Sequence, residues 1–154
     1  MPTGLEISRA DIDDAEAILA LQKLAYQSEA RLYQNWSIPP LTQALEDVRG
    51  EFQTKTFLKA VCDRVIIGSV RAACDRRTCE IGRLIVHPDH QRKSVGSRLM
   101  QAIEAFFPDV ELFKLFTGER SDGNLRLYAR LGYRVTRFEA LSPSLTIVHL
   151  EKQR

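Results

Sequence analysis

The segment Leu84-Ile85-Val86-His87-Pro88-Asp89-His90-Gln91-Arg92-Lys93-Ser94-Val95-Gly96-Ser97-Arg98-Leu99 constrains this chain more than any other. An apolar run passes through a short basic, glycine-containing turn directly into an amphipathic helix that presents Val95, Leu99, Ala102, Ile103 and Phe106 on one face. The first amides of a helix have no partners within it, and the helix dipole adds partial positive charge at the same end. A strand feeding such a turn is therefore an anion cradle of phosphate type. Arg92 and Lys93 add full charges.

The remaining elements follow from periodicity. Leu5-Glu6-Ile7 alternates as a first strand. Asp11 caps a helix carrying Ile12, Ala15, Ile18, Leu19, Gln22 and Ala25 on one stripe and ending near Arg31. Pro39-Pro40 breaks the chain, and Thr42 caps a second helix through Ala44, Leu45, Val48 and Phe52. Strands are expected over Phe57–Cys62, Val65–Cys74 and Cys79–Val86, joined by short polar turns that suit hairpins. A third helix starts near Ser94 and stops at Pro108, and Leu112–Thr117 is an apolar strand. Ser121 caps a fourth helix with Leu125, Tyr128 and Leu131 in phase; Gly132 is its left-handed terminator, with Tyr133 behind it. Strands Arg134–Ala140 and Leu145–Glu151 close the order β-α-α-β-β-β-α-β-α-β-β. That order specifies an α/β (α+β) fold: a mixed sheet with helices on both faces.

A chain of 154 residues, 44% hydrophobic, is the size of one ordinary domain, expected over residues 1–154. The 22 basic and 20 acidic residues are interspersed, leaving a net charge of +2 and no long block of one sign. This argues against nucleic acid and a membrane surface as partners. No window approaches the ~18 consecutive apolar residues of a membrane span, and the start is not a leader, so a cytoplasmic location is expected. Cys62, Cys74 and Cys79 are odd in number and are expected as reduced, partly buried thiols. Cys74, Cys79, His87 and His90 have zinc-ligand chemistry. A strand between Cys79 and His87 separates them by roughly 25 Å at ~3.3 Å per residue, so no shared metal is expected.

Two motifs give the chain a family likeness. With Gln91, Ser94 and Gly96 in the places of Gln/Arg-x-x-Gly-x-Gly/Ala, the basic turn resembles the acetyl-CoA pyrophosphate loop of the GCN5-related N-acetyltransferases, the GNAT superfamily. Asn124-Leu125-Arg126-Leu127-Tyr128-Ala129-Arg130-Leu131-Gly132-Tyr133 is similar to its second signature: Asn, a helix carrying Leu-Tyr, then Gly and an aromatic. Two motifs in order, about thirty residues apart, are far more specific than either alone. The resemblance implies a mostly antiparallel mixed sheet, splayed between strands four and five, and acetyl transfer from acetyl-CoA to a primary amine by direct attack in a ternary complex. A non-catalytic acyl-CoA-binding module of the same fold is the alternative. No metal is implied, and a homodimer is compatible with the reading.

Residue by residue, the resemblance places the pyrophosphate at Gln91, Arg92, Lys93, Ser94, Val95, Gly96 and Ser97. It places the pantetheine arm along the backbone of Leu84, Ile85 and Val86, with Asn124 as a further hydrogen-bonding partner. Tyr128 becomes the acid for the departing CoA sulfur, since a phenol with a pKa near 10 is protonated at neutral pH. Glu80 takes the position of the base, with Glu119 in reserve and His149 third. Ser94 departs from the family glycine: it is tolerated if its φ is negative and strained if its φ is positive. Tyr26, Tyr33, Asn35 and Trp36 fall where the acceptor pocket is expected and would form either an aromatic wall or a cap on the core.

Overall fold

The structure, a computed structural model, describes residues 4–154. Its elements are β1 (Glu6–Arg9), α1 (Ala15–Ala25), α2 (Gln27–Tyr33), α3 (Pro39–Thr42), α4 (Leu45–Glu51), β2 (Thr56–Cys62), β3 (Val65–Asp75), β4 (Thr78–Val86), α5 (Val95–Phe106), β5 (Leu112–Gly118), α6 (Asp122–Arg130), β6 (Arg134–Ser142) and β7 (Leu145–Gln153). The seven strands form one mixed sheet in the order β1-β2-β3-β4-β5-β7-β6. Every neighbouring pair is antiparallel except β4 and β5.

The β4–β5 pairing is short. Only Thr78, Cys79 and Glu80 pair with Leu112, Phe113 and Lys114, although both strands continue. Beyond Glu80 the strands part, as the resemblance implied. The main core lies against α5, whose Val95, Leu99, Met100 and Ile103 are fully buried among Val70, Ile81, Phe113, Tyr128 and Leu150. Burying aliphatic side chains of this size is worth roughly 1.5–3 kcal/mol each, which anchors the sheet just below the splay. Helix α1 packs against β3 and β4 and carries its own buried groups, Ala15, Ile18 and Leu19.

Several expected boundaries moved for local reasons. Asp11 does cap, accepting the Asp13 N–H at 2.9 Å while its own N–H donates to Asp14 at 3.0 Å, but the first turn is 3₁₀. The single helix expected through Arg31 breaks at Tyr26, whose φ −83° and ψ 1° leave the α region. Pro39-Pro40 opens the short α3 instead of interrupting the chain, because proline suits a first helical turn with its missing N–H. Thr42 then ends α3, and α4 begins after Ala44, whose N–H donates to Asp47. Ser121 does not cap α6 with its side chain.

Helix α6 ends as its sequence specifies. Gly132 has φ +98°, its N–H bonds Ala129 at 3.1 Å, and the Tyr133 N–H bonds the Tyr128 carbonyl at 2.9 Å. That pair of bonds is a Schellman motif, and it fixes the register of Tyr128.

The cysteines differ from the expectation of separate thiols. The β3–β4 hairpin places Cys74 directly opposite Cys79, with Cα atoms 4.0 Å apart, and the two form a disulfide. Cys62 alone is a free, buried thiol. Among the described residues no group of three or more metal-ligating side chains converges, and no helix is long and apolar enough to cross a membrane.

Candidate active site

The parting of β4 from β5 opens a cleft of about 600 Å³. One wall is β4 itself, through Leu84, Ile85 and Val86. The floor of one end is the turn before α5, contributing Gln91, Arg92, Ser94, Val95, Gly96 and Ser97. The opposite wall is α6, with Asn124, Arg126, Leu127 and Arg130, and the far end is closed by Tyr26 and Glu29 from the α1–α2 junction. Thus ten of the expected cofactor-contacting positions meet in one space: the three of β4, six of the turn and Asn124.

The turn is built to present amides. Arg92 and Ser94 both have positive φ, +63° and +65°, with Lys93 between them outside the left-handed region. Left-handed residues alternating along a turn bend successive N–H groups toward one concavity, an anion nest, and the first N–H groups of α5 follow it. Ser94 is therefore the strained case, holding a conformation that costs an L-residue roughly 1–2 kcal/mol. Its side chain makes no capping hydrogen bond. Gly96 has no close steric neighbour: a Cβ there would meet Leu127 at 3.4 Å and nothing nearer. Its bare backbone faces the cleft instead. Lys93 is exposed and not part of the cleft wall.

β4 is kinked where the cleft begins. Register shifts so that Val70 of β3 stands opposite both Arg83 and Leu84, and Arg83 takes φ +49°. This is a β-bulge, which turns the strand's following residues away from the ladder. Beyond it, the edge of β4 facing β5 has no strand partner, so backbone groups of Leu84 to Val86 are open to an extended ligand.

Tyr128, expected to contact the cofactor, is instead a core residue outside the cleft lining, buried to 6% exposure with its ring edge-on to Tyr133. Burial, and then the nearby Tyr26 and Glu29, push its phenol well above the usual value near 10. The Tyr128 phenol is thus held in its protonated form through the neutral range. Asn124, one turn before it, donates to the Thr117 hydroxyl at 3.3 Å and spans the gap between α6 and β5.

The carboxylate at this end of the cleft is Glu29, which the sequence reading did not single out. It accepts a 2.7 Å hydrogen bond from the Ser121 hydroxyl, tying α2 to the start of α6, and acts electrostatically on both Tyr26 and Tyr128. Glu80 is exposed on the paired part of β4, outside the cleft wall. Glu119 is likewise exposed and outside it, while His149 bonds Glu139 at 2.8 Å on β6–β7.

Of the four residues expected near the acceptor, only Tyr26 lines the cleft. The Tyr33 hydroxyl is buried and accepts the Arg120 N–H at 2.8 Å, the Asn35 side chain accepts the Ser37 N–H at 2.9 Å, and Trp36 is half exposed. Arg126 and Arg130, one turn apart on α6, were also missed. Only their i, i+4 spacing beside the second motif pointed to a shared face.

Comparison with known proteins agrees with this architecture. The family model described as Acetyltransferase (GNAT) family matches residues 16–133. The chain belongs to the GNAT family. Among curated proteins it is 28% identical over 142 residues to UPF0157 protein YqkA of Bacillus subtilis (strain 168), covering 91% of this chain and 41% of that one. The chain therefore spans about two fifths of that relative's length. The fold matches that of the ribosomal-protein-S18-alanine N-acetyltransferase from Escherichia coli, with TM-score 0.80 at 12% identity over 97% of this chain and 93% of that one. It also matches the paiA N-acetyltransferase from Thermoplasma acidophilum, solved with coenzyme A, at TM-score 0.71, 19% identity and coverages of 97% and 99%. A third match is yncA, a putative acetyltransferase from Salmonella typhimurium solved with acetyl-CoA, at TM-score 0.77, 19% identity and coverages of 98% and 94%.

Proposed function

We propose that this GNAT chain is an acetyl-CoA-dependent N-acetyltransferase that acetylates a primary amine by direct attack in a ternary complex. The observation that carries the reading is the parting of β4 from β5 directly above a turn in which Arg92 and Ser94 are both left-handed. Two relatives of the same fold were solved with coenzyme A or acetyl-CoA, which supports the same ligand class here.

In this reading the amides around Arg92 to Ser97 and the side chains of Arg92, Arg126 and Arg130 hold the phosphates. The unpaired backbone of Leu84 to Val86 holds the pantetheine arm, and Asn124 borders it. The ligand supplies an activated acetyl thioester. Tyr128 then donates a proton to the leaving sulfur, a role its raised pKa allows at all working pH values. For the proton leaving the amine, Glu29 takes the place that the sequence assigned to Glu80, because Glu29 stands in the cleft wall beside Tyr26 and Glu80 stands outside it. No cysteine lines the cleft, in keeping with direct attack and no acetyl-enzyme.

The test is ligand-dependent stabilisation followed by turnover. Acetyl-CoA near millimolar concentration should raise the melting temperature in proportion to its saturation, while NAD and ATP should not. Thiol release with an amine panel then separates a transferase from a binding module. Equal stabilisation by ATP, or none by acetyl-CoA, refutes the site.

A further inference from the structure

Strand β6 is a long sheet edge with little to keep another strand away. Among the described residues it pairs only with β7, and eight of its nine residues are exposed. The opposite edge, β1, is only four residues long. β6 contains neither proline nor lysine, residues that commonly guard an edge, and it carries three large apolar side chains, Val135, Phe138 and Leu141, exposed to 52%, 62% and 54%. The unpaired N–H and C=O groups along its outer side are a template for a further strand.

Its register on β7 shows which side chains share a face. Val135, Phe138 and Ala140 stand opposite Leu150, Val148 and Thr146 on one face, and Arg137 and Glu139 stand opposite His149 and Ile147 on the other. Val148 and Leu150 belong to the main core, but that core stops short of Val135 and Phe138. Bulges at Thr136 and Leu141 leave Arg137 to Ala140 in unbroken register. Within the chain Glu139 is reached by Arg137 at 3.5 Å and by His149 at 2.8 Å.

This segment is complementary to itself. A two-fold axis through Phe138 sets two β6 strands antiparallel, with Phe138 opposite Phe138, Arg137 opposite Glu139 on both sides of the axis, and Val135 opposite Leu141. Aromatic, apolar and opposite-charge pairs across strands each contribute roughly 0.2–1 kcal/mol. Moving the axis by one residue, to Arg137 or to Glu139, sets like charges directly opposite each other and destabilises the pairing. Charge therefore selects one register.

We infer that β6 is the interface of a homodimer, in which two copies of this chain pair β6 with β6 about Phe138 and extend their sheets into one. The contact is isologous: each copy's long free edge is consumed by the other, so assembly stops at two.

Sedimentation velocity of the full chain over about 1–100 µM should show a dimer that grows with concentration. Phe138→Glu sets two carboxylates across the axis and should weaken association at least tenfold. Arg137→Glu and Glu139→Arg each bring like charges together and should weaken it comparably when alone. An equimolar mixture of those two variants restores opposite charges at both crossed positions and should dimerise again. Far-UV circular dichroism and melting temperature report that each variant is folded. Under mild oxidation Phe138→Cys should give a covalent dimer, since directly opposed Cα atoms stand about 4.5–5.5 Å apart. Ala140→Cys should not, because its counterpart lies roughly 13 Å further along the paired strand. A wild type that stays monomeric throughout overturns the inference and leaves the edge to a strand of another protein or to solvent. It is equally overturned if the dimer persists unchanged in Phe138→Glu, if the mixture associates no better than its components, or if Ala140→Cys cross-links as readily as Phe138→Cys.

Discussion

Gly118→Ala should be among the most damaging single-methyl additions in the chain. Gly118 ends β5 against the ring of Tyr33, and an added Cβ would lie 2.0 Å from the Tyr33 oxygen, 2.6 Å from Cζ and 2.9 Å from Cε2. The φ of Gly118 is not in the left-handed region, so the entire effect is steric. Tyr33 cannot step aside freely: it is buried to 5% exposure, its hydroxyl accepts the Arg120 N–H at 2.8 Å, and the Arg120 guanidinium covers its ring. Displacing the ring adds an overpacking cost of about 1–3 kcal/mol to a lost hydrogen bond of about 1 kcal/mol, for a total of about 2–4 kcal/mol. In a domain of this size that lowers the melting temperature by roughly 4–15 °C. Urea denaturation of Gly118→Ala, Tyr33→Ala and the double variant closes a mutant cycle. In the Tyr33→Ala background the added methyl meets an empty space, so its cost should fall below about 0.5 kcal/mol. A cost that is small in the wild type, or the same in both backgrounds, refutes the steric argument. Because Tyr33 holds α2 to the β5–α6 junction, the variant should also loosen Glu29 from Ser121 and weaken turnover more than coenzyme A binding.

Three further outcomes follow from the site. Tyr128→Phe removes only a hydroxyl and should fold and bind acetyl-CoA normally while kcat falls on the order of 10²-fold; full turnover would make Tyr128 a packing residue. Glu29→Gln should lose activity at neutral pH and recover as pH approaches the acceptor's own pKa, whereas Glu80→Gln should show little deficit at any pH; the reverse pattern in a pH 6–9.5 rate profile would return the base to Glu80. Gly96→Glu places bulk and negative charge in the cradle and should abolish acetyl-CoA stabilisation in a folded protein, with an unchanged isotherm placing the phosphates elsewhere. Burial opposes ionisation of Glu51, but Lys55, Arg71 and Gln43 outweigh it and hold its pKa below the ordinary 4.5. A depressed folded pKa stabilises above the unfolded value, so stability should drop as pH falls from 4.5 through the folded pKa, with part of that slope absent in Glu51→Gln.

Much of the site was legible because its parts are local. The strand–turn–helix from Leu84 to Leu99 declares itself by a change of hydrophobic period from two to 3.6 around a basic turn, and the Leu131-Gly132-Tyr133 stop places Tyr128 by helix geometry alone. The order of the strands likewise survives, but the two helices expected before β2 are four, since breaks such as Tyr26 and boundaries such as Thr42 against Ala44 depend on which of several nearby signals wins. The sign of φ at Ser94 was not legible, because serine is chemically suited to either conformation and the choice is made by the turn's need to aim its amides.

What lay beyond the sequence were the contacts between residues distant along the chain. Glu29 reaches Ser121 across 92 residues, and Glu51 meets Arg71 from a different element, so neither pairing leaves a spacing to recognise. Cys74 and Cys79 are five residues apart, yet their bond depends on the Arg76-Arg77 turn setting them directly opposite, a register that composition does not encode. The buried Nε of Arg83, which has no hydrogen-bond partner, is of the same kind: the residue's charge is visible in the sequence, but the burial of that atom is decided by the elements packed around it. Periodicity and caps act over a few residues and are written in order along the chain. Burial, charge balance and the parting of β4 from β5 arise only when the sheet closes and brings remote side chains within a few ångströms.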